Sequence, residues 1–371
     1  MIKINLSNKT KKNLKNIVYN CNGEKCNLCV DNCLMLKKYI KTPKKYFENI
    51  LDNEKLEKKI VFSCHFCNNC SKVCPKSIDL SKAFKVLRKD LNEQEEDYIL
   101  KSHKGVYFHN KIGNSNILTK TKEEINKVAF MPGCALSSYR PDIVKKAFDY
   151  LKSIYKDIGP LLKCCSKPLD DLGDKEEFNK QFEKLAKEVK KRKIKKLITS
   201  CPNCHKVLKE SSLDIEIKTI WDVFLDNKLY IDINANIRKE LKHERFDLNH
   251  PCVVNEYPIL KEKIDEFIEK LDYNINQNIE VNCCGMGGMV HVSNHEVFKD
   301  KKDKKALSFK NNMILNYCAA CNESVSSLKK FKSYHILELV FDQESIINNK
   351  SNNPNFLKKW HNRFKTKYLI N

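Results

Sequence analysis

The feature that most constrains this chain is a repeat built on cysteine. Ten of the eighteen cysteines form two sets of five, and each residue of one set lies 117 to 119 positions from its counterpart in the other. The sets are Cys134, Cys164, Cys165, Cys201 and Cys204, and Cys252, Cys283, Cys284, Cys318 and Cys321. The segment TIWDVFLD at 219–226 has a counterpart, HILELVFD, at 335–342. Two long copies indicate duplicated domains rather than the many short units of a solenoid.

Each copy alternates short apolar segments with amphipathic ones. Strands are predicted to end at the cysteines of KVAFMPGC, LLKCC and KKLITSC in the first copy, and of FDLNHPC, IEVNCC and MILNYC in the second. The intervening segments, such as PDIVKKAFDYLKSIY, have apolar residues at helical spacing. Strands that alternate with helices form parallel sheets, and ligands gather at the carboxyl ends of such strands. All five thiols of each copy are therefore predicted to meet at one edge of its sheet.

The segment VNCCGMGGMVH at 281–291 contains adjacent cysteines, which have three explanations. A disulfide between neighbours is disfavoured because their Cα atoms are about 3.8 Å apart, shorter than an unstrained bridge prefers. Buried free cysteines behave as small apolar residues. Two thiols can instead bind one ligand where a strand ends and the chain turns, and Gly285 would permit that turn. Five thiolates exceed the needs of one tetrahedral ion and favour a multi-iron cluster.

The other eight cysteines lie in two N-terminal runs. CNGEKCNLCVDNC contains Cys21, Cys26, Cys29 and Cys33, and CHFCNNCSKVCP contains Cys64, Cys67, Cys70 and Cys74. The second run has the spacing of bacterial ferredoxins, in which the fourth cysteine binds the other cluster. The implied pairing is Cys21, Cys26 and Cys29 with Cys74, and Cys64, Cys67 and Cys70 with Cys33. Zinc is the alternative, although a zinc knuckle needs no third close cysteine.

The predicted fold class is α+β multidomain, with a helical ferredoxin domain followed by two duplicated α/β domains that contain parallel sheets. The predicted domains are a helical ferredoxin-type domain for two [4Fe-4S] clusters at 1–95, a linker at 96–126, cysteine-rich domains at 127–245 and 246–345, and a basic aromatic tail at 346–371.

Composition restricts the compartment and the partners. The sequence contains neither an apolar run of signal-peptide length at its start nor the roughly 20 apolar residues of a membrane span. A cytoplasmic protein is expected, in which thiols stay reduced and serve metal or redox chemistry. The formal charge of +22 would suit nucleic acid. Because the lysines are scattered and cluster thiolates are negative, no nucleic-acid partner is expected.

The two copies of a Cys, Cys-Cys-Gly, Cys-x2-Cys pattern resemble the cysteine-rich CCG domains of the heterodisulfide reductase catalytic subunit. With the ferredoxin runs, about residues 15 to 345 resemble the fused form of that enzyme and its relatives, the iron–sulfur subunits of anaerobic glycerol-3-phosphate, glycolate and lactate dehydrogenases. All eighteen cysteines fall on positions of the family pattern.

The resemblance implies two [4Fe-4S] cubane clusters in the ferredoxin domain and one noncubane [4Fe-4S] cluster in each five-cysteine set. A disulfide substrate would lie between the two noncubane clusters. The ten cysteines of the repeat would then be both metal ligands and catalytic residues, with Gly285 and Gly287 at the cofactor. Electrons would enter through the cubanes, and each noncubane cluster would deliver one electron as the S–S bond breaks.

The first copy departs from the family pattern because Ser166 stands where the second copy has Gly285. A non-glycine residue in a left-handed turn costs about 1 kcal/mol, and Pro168 also restricts Lys167. The chain is therefore predicted to turn differently after the first cysteine pair. The second departure is the longer loop that follows Cys21.

Several other residues have both a functional and a structural explanation. His205, His291 and His335 lie near cysteines and either donate protons to a product thiolate or serve packing. Gly287 and Gly288 either let the backbone approach a cluster or substrate, or shape a loop. The tail places Phe356, Trp360, Phe364 and Tyr368 at four-residue intervals among basic residues. This stripe would bind a membrane surface, with the protein peripheral on the inner face of the cell membrane, or pack against protein.

The leading hypothesis is an iron–sulfur oxidoreductase that reduces a disulfide. The first alternative is an electron-transfer subunit that links a flavoprotein dehydrogenase to quinone. The second is a basic zinc-binding interaction protein. Because the sequence has no flavin motif, a separate redox partner is expected, in the form of a flavoprotein subunit.

Overall fold

The computed structural model describes residues 1–94, 100–121, 125–350 and 353–371. Its strands are β1 (Ile2–Lys3), β2 (Lys55–Leu56), β3 (Val128–Met131), β4 (Ile158–Pro160), β5 (Lys196–Thr199), β6 (Glu216–Thr219), β7 (Arg245–Asn249), β8 (Asn274–Asn276), β9 (Met313–Asn316) and β10 (Lys332–His335).

The helices fall into three groups along the chain. Before β3 are α1 (Asn8–Asn20), α2 (Leu28–Asp31), α3 (Leu34–Tyr39), α4 (Pro43–Asn53), α5 (Lys58–Val61), α6 (Asn69–Lys72), α7 (Leu80–Gln94), α8 (Lys104–Gly113) and α9 (Asn116–Thr119). Between β3 and β7 are α10 (Cys134–Tyr139), α11 (Pro141–Ile154), α12 (Lys167–Leu172), α13 (Lys175–Lys191), α14 (Pro202–Lys209), α15 (Ile220–Asp226) and α16 (Leu229–Ala235). After β7 are α17 (Ile259–Glu269), α18 (Val290–Ser293), α19 (His295–Ala306), α20 (Ala319–Ser326), α21 (Ile336–Phe341), α22 (Gln343–Ile347) and α23 (Phe356–Ile370).

The predicted fold class is confirmed: a mostly helical N-terminal region precedes two four-stranded parallel sheets. The strand orders are β4-β3-β5-β6 and β8-β7-β9-β10, which are the same order when the two copies are aligned. All neighbouring strands in both sheets are parallel. The cysteine repeat is therefore a repeat of whole α/β domains.

The chain forms two compact units, each built from several separate stretches of sequence. The first unit contains residues 1–109, 166–179 and 282–305, and the second contains 110–165, 180–281 and 306–371. The first inserted segment begins directly after the Cys164–Cys165 pair, whereas the second contains the Cys283–Cys284 pair. The predicted linker at 96–126 contains α8 and α9 in its described part.

The first unit is built around an aromatic and aliphatic core. Phe47 and Phe84 are fully buried, and their ring centroids are 5.5 Å apart. Phe47 lies on α4, which packs against α1, and Phe84 lies on α7, which also packs against α1. Burying one such ring contributes about 1.5–3 kcal/mol, so this packing gives the ferredoxin cysteines a rigid support.

In the second unit, the two copies pack through equivalent helices. Helix α11 of the first copy contacts α21 of the second, and α15 of the first contacts α17 of the second. Because α11 corresponds to α17 and α15 to α21, this packing has an approximate two-fold symmetry. Trp221 and Phe224 on α15 lie 6.0 and 5.5 Å from the ring of Phe267 on α17. The duplicated sheets therefore share one core.

The predicted ends of two of the six strands were wrong, because these strands stop well before the cysteines. Strands β3, β5, β7 and β9 end shortly before single cysteines, as predicted, but β4 ends at Pro160 and β8 ends at Asn276. Both are edge strands, and proline has no N–H for a ladder. Asn276 donates to Asp247 and accepts from the N–H of Asn278, a local turn that ends β8.

Candidate metal centres

The eight ferredoxin-run cysteines line two cavities of the first unit. Cys33 lines one cavity together with Cys64, Cys67 and Cys70. The other is lined by Cys21, Cys26, Cys29 and Cys74, and Cys70 also reaches it. The structure thus places the fourth cysteine of each run with the first three of the other. A donor set made only of thiolates suits iron–sulfur clusters.

Burial favours the protonated form of the Cys29 and Cys64 thiols by raising the pKa of each. Burial, followed by the charge of Cys21, raises the pKa of Cys29 to about 11, and burial raises the pKa of Cys64 to about 12. Iron binds the thiolate form, so metal binding would release protons from both cavities.

The first five-cysteine set is brought together by a series of thiol contacts within the second unit. The Sγ atoms of Cys134 and Cys164 are 3.9 Å apart, and those of Cys165 and Cys204 are 3.5 Å apart. Hydrogen bonds with Cys164 and Cys204 lower the pKa of Cys165. Cys201 in turn hydrogen-bonds with Cys204. All five thiols therefore lie beside the carboxyl ends of β3 and β5.

A glycine that the sequence analysis did not single out permits this convergence. Gly133 has φ of +82°, and a Cβ atom there would lie 2.9 Å from Cβ of Cys201 and 3.7 Å from Sγ of Cys204. The sequence contained a signal for this role, because Gly133 directly precedes the predicted ligand Cys134, and glycine allows the backbone to approach other groups closely.

The second five-cysteine set is divided between the units. Cys252, Cys318 and Cys321 belong to the second unit, whereas Cys283 and Cys284 belong to the first. Cys318 is the N-cap of α20, and Cys201 is the N-cap of α14 in the first copy. A hydrogen bond from Cys321 and backbone N–H groups of Cys321 and Ala320 lower the pKa of Cys318. The N-cap position of Cys318 therefore favours its thiolate form.

A polar side chain of the first copy contacts a thiol of the second copy within the second unit. The side-chain nitrogen of Asn203, between Cys201 and Cys204, lies 3.9 Å from Sγ of Cys318 in the other copy. The helices that follow these cysteines are also in contact across the pseudo-two-fold axis: α10 contacts α20, and α14 contacts the turn Cys252–Asn255. Asn203 was not predicted, since its place between the copies depends on their packing.

The second cysteine pair is held against the ferredoxin cysteines of the first unit. Cys283 forms a hydrogen bond with Cys67, which together with burial raises the pKa of Cys67. The backbone N–H of Gly285 donates to Sγ of Cys283 over 3.3 Å. A Cβ atom at Gly287 would lie 2.3 Å from the carbonyl oxygen of His65. Gly287 therefore serves a close approach to the backbone of a ferredoxin loop.

The turn after each cysteine pair has the same handedness, contrary to prediction. Gly285 has φ of +90° and Ser166 has φ of +58°, so both backbones turn through the left-handed region. Ser166 is fully buried, and its carbonyl accepts from the N–H of Leu169 at the start of α12. Surrounding packing therefore offsets the cost of about 1 kcal/mol for a non-glycine residue.

Arg88 joins the three segments of the first unit and was not identified from the sequence. Its guanidinium donates to the carbonyl oxygens of Val61, Cys64, Asp171 and Gly288 over 3.1, 2.9, 2.5 and 2.8 Å. Burial lowers its pKa to about 10, so it is a cation at neutral pH. A single fully buried side chain thus connects the ferredoxin loop to the segments after both cysteine pairs.

Two of the three histidines proposed as proton donors, His205 and His335, are in surroundings that favour the neutral form. Burial lowers the pKa of His205 to about 4 and that of His335 to about 3. His335 is the N-cap of α21, and its Nδ1 accepts from the N–H of Leu337. Thr219 has the same position before α15. His291 lies on α18 with its ring 6.1 Å from that of Phe298.

The buried state of His335 predicts a pH effect on stability. Because the folded pKa of about 3 lies below the usual 6.5, the stability is complete above pH 6.5 and is lost as the pH falls toward 3. Because of His335, the wild-type protein should lose about 2 kcal/mol of unfolding free energy between pH 7 and pH 5. His335→Thr, which introduces the N-cap residue of the equivalent helix in the first copy, should not show this loss. Anaerobic urea titrations at both pH values measure this difference. The exposed His243→Thr is the control, and equal pH dependence in all three proteins would contradict the assignment.

The C-terminal helix α23 packs on its own unit through a face other than the aromatic stripe. Asn362, Arg363, Thr366 and Ile370 are buried, and α23 contacts α10 and α11. Phe356, Phe364 and Tyr368 are exposed.

Among the described residues, no helix is long and apolar enough to span a bilayer. Likewise, no three His, Cys, Asp or Glu side chains in the described ranges are arranged to hold a single metal ion.

Comparisons with known proteins agree with this architecture. Residues 20–79 match the family described as 4Fe-4S dicluster domain, and residues 128–209 and 248–326 match the cysteine-rich domain family CCG. An uncharacterized iron–sulfur protein of Methanocaldococcus jannaschii is 24% identical over 81% of this chain and 62% of its own length. Another of Methanococcus maripaludis is 26% identical over 75% of this chain and 59% of its own length. The chain thus spans about three fifths of the curated relatives that it matches. This chain is an iron–sulfur protein with a ferredoxin-type dicluster domain and two cysteine-rich CCG domains.

Proposed function

We propose that this chain is an iron–sulfur oxidoreductase that reduces a disulfide between its two cysteine-rich domains. The observation that carries the proposal is the contact of Asn203, between two thiols of the first copy, with the thiol of Cys318 in the second. A disulfide has two sulfur atoms, and two thiol-rich sites, one in each copy, would offer a separate position for each.

In this proposal Cys134, Cys164, Cys165, Cys201 and Cys204 hold one noncubane cluster, and Cys252, Cys283, Cys284, Cys318 and Cys321 hold the other. The ferredoxin cysteines hold two cubane clusters in the predicted pairing, which the linings of the two cavities support. Such clusters supply electrons one at a time, and reduction of a disulfide to two thiols consumes two electrons and two protons. Because His205 and His335 are neutral at pH 7, we infer that the protons come from solvent. A flavoprotein subunit is the proposed electron donor.

Metal analysis of anaerobically purified protein is the first test. About sixteen irons per chain with matching acid-labile sulfide are expected for four four-iron clusters. About eight irons would restrict the iron–sulfur proposal to the ferredoxin domain, and zinc with little sulfide would reject it.

Turnover distinguishes the two redox functions. Dithionite-reduced protein is expected to reduce small disulfides, and Cys318→Ala should abolish that turnover while leaving the cubane signals in electron paramagnetic resonance. Ser326→Ala, on the same helix, is the control. Reduction of quinones without any reduction of disulfides would reject the proposal in favour of an electron-transfer subunit.

A further inference from the structure

The two ferredoxin cavities of the first unit differ in their buried charge. Lys301, on α19, lines the cavity of Cys33, Cys64, Cys67 and Cys70, and only 4% of it is exposed. Arg88 is fully buried and donates to the carbonyl oxygen of Cys64 over 2.9 Å. Two buried basic side chains therefore lie beside this set of thiols, which we call the inner set.

The other four thiols, Cys21, Cys26, Cys29 and Cys74, form the outer set and lack this environment. The basic residue that lines their cavity is Lys76, which is exposed to solvent. Water and salt screen an exposed charge, whereas a charge in a protein interior acts through a lower dielectric constant. The outer set is also less buried, with all four cysteines partly accessible.

Burial has two opposing consequences for the reduction potential at the inner set. Removing water disfavours the extra negative charge of a reduced cluster and lowers its potential. The same low dielectric strengthens the attraction of that charge to Arg88 and Lys301. Two basic side chains act on one added electron, which favours the attraction over the loss of solvation.

We propose that Arg88 and Lys301 raise the reduction potential of the cubane held by the inner set above that of the cubane held by the outer set. This inference rests on the proposed function and extends it by giving the order of the two sites. The inner set includes Cys67, whose thiol contacts Cys283 of the second cysteine-rich pair. Arg88 and Lys301 thereby favour the electron at the end of the ferredoxin unit nearest to that pair.

Lys301 has a second property that makes the proposal specific. It lies on α19, which comes after the Cys283–Cys284 pair and α18 in the chain, and not in the ferredoxin sequence itself. The second cysteine-rich copy therefore supplies a charge to a cubane that it does not ligate.

The test is an anaerobic redox titration of the dithionite-reduced full chain, followed by electron paramagnetic resonance. In Lys301→Met, the more positive of the two cubane midpoint potentials should fall by about 59 mV. For one electron, this shift lowers the ratio of reduced to oxidised cluster at a fixed potential about tenfold. The more negative midpoint should stay in place. Lys301→Arg keeps the charge and should preserve both potentials.

Lys299→Met is the matched control, since Lys299 is exposed on the same helix. Unchanged potentials in Lys301→Met, a shift of the more negative midpoint, or an equal shift in Lys299→Met would each overturn the proposal. If Lys301→Met loses a cubane, Lys301→Gln replaces it with the same expectations. Wild-type protein without cubanes by iron and sulfide analysis would defeat the proposed function, whereas two cubanes with unmoved potentials would defeat only this inference.

Discussion

Arg88→Met should disrupt the first unit and lower the iron content from about sixteen to about eight or fewer per chain. The variant removes the donor for four backbone carbonyls that lie in three separate segments. Each buried acceptor left without a partner costs about 1–3 kcal/mol, so the expected loss of unfolding free energy is roughly 5 kcal/mol or more.

The side chain of Arg88 also lies over two aromatic rings, 4.9 Å from the centroid of Phe62 and 4.4 Å from that of Phe66. Methionine fills part of the volume but restores neither the hydrogen bonds nor the cation–π contacts. Arg88→Lys should be intermediate, because a lysine reaches fewer of the four carbonyls.

Lys82→Met is the control for Arg88→Met, since Lys82 is exposed on the same helix, α7. Urea unfolding and iron analysis of the three variants give the comparison. Full iron content in Arg88→Met would show that the three segments are held together without this residue.

Gly288→Ala should have the second large effect. Gly288 has φ of +60°, and an added Cβ atom would lie 2.1 Å from the carbonyl oxygen of Cys64 and 3.1 Å from its carbonyl carbon. The backbone of the ferredoxin loop must move to relieve this contact, and the left-handed conformation itself costs about 1 kcal/mol for alanine. We expect a loss of about 3 kcal/mol or more, with weakened iron binding at the inner set.

Gly105→Ala provides a matched control, because no atom lies within 4 Å of its added Cβ atom and the residue is on α8 of the same unit. Alanine should stabilise that helix by up to about 1 kcal/mol. Differential scanning calorimetry and iron analysis compare the two variants. Equal thermal stability of the two alanine variants would mean that the loop does not need its close approach to Cys64.

The cysteine spacing and the apolar periodicity predicted most of the architecture. The displacement of 117 to 119 residues implied duplicated domains, and the two sheets have the same strand order. Helix α11 begins at Pro141 as its pattern predicted. The ferredoxin spacing also predicted which thiols line each of the two cavities. These features depend on local periodicity and on fixed ligand spacing, both of which are visible in a single chain.

The sequence predicted the positions of the adjacent cysteine pairs less accurately, because other segments of the chain form their surroundings. The periodicity placed each pair at a strand end, but β4 and β8 are edge strands that stop earlier. Ser166 was expected to change its turn, yet buried packing holds it in the left-handed region. A rule about one residue cannot anticipate packing energy supplied by its neighbours.

By itself, the sequence determined the class of the protein: clustered thiols for iron and sulfide, in a helical ferredoxin domain and two α/β copies. Only the tertiary structure decided how those parts are connected. Arg88 and Lys301 belong to no cysteine motif, and like Gly288 they act on residues that are distant in the chain. Ligand spacing is a local property of the chain, whereas the charge and the close backbone contacts around a site depend on which segments fold together.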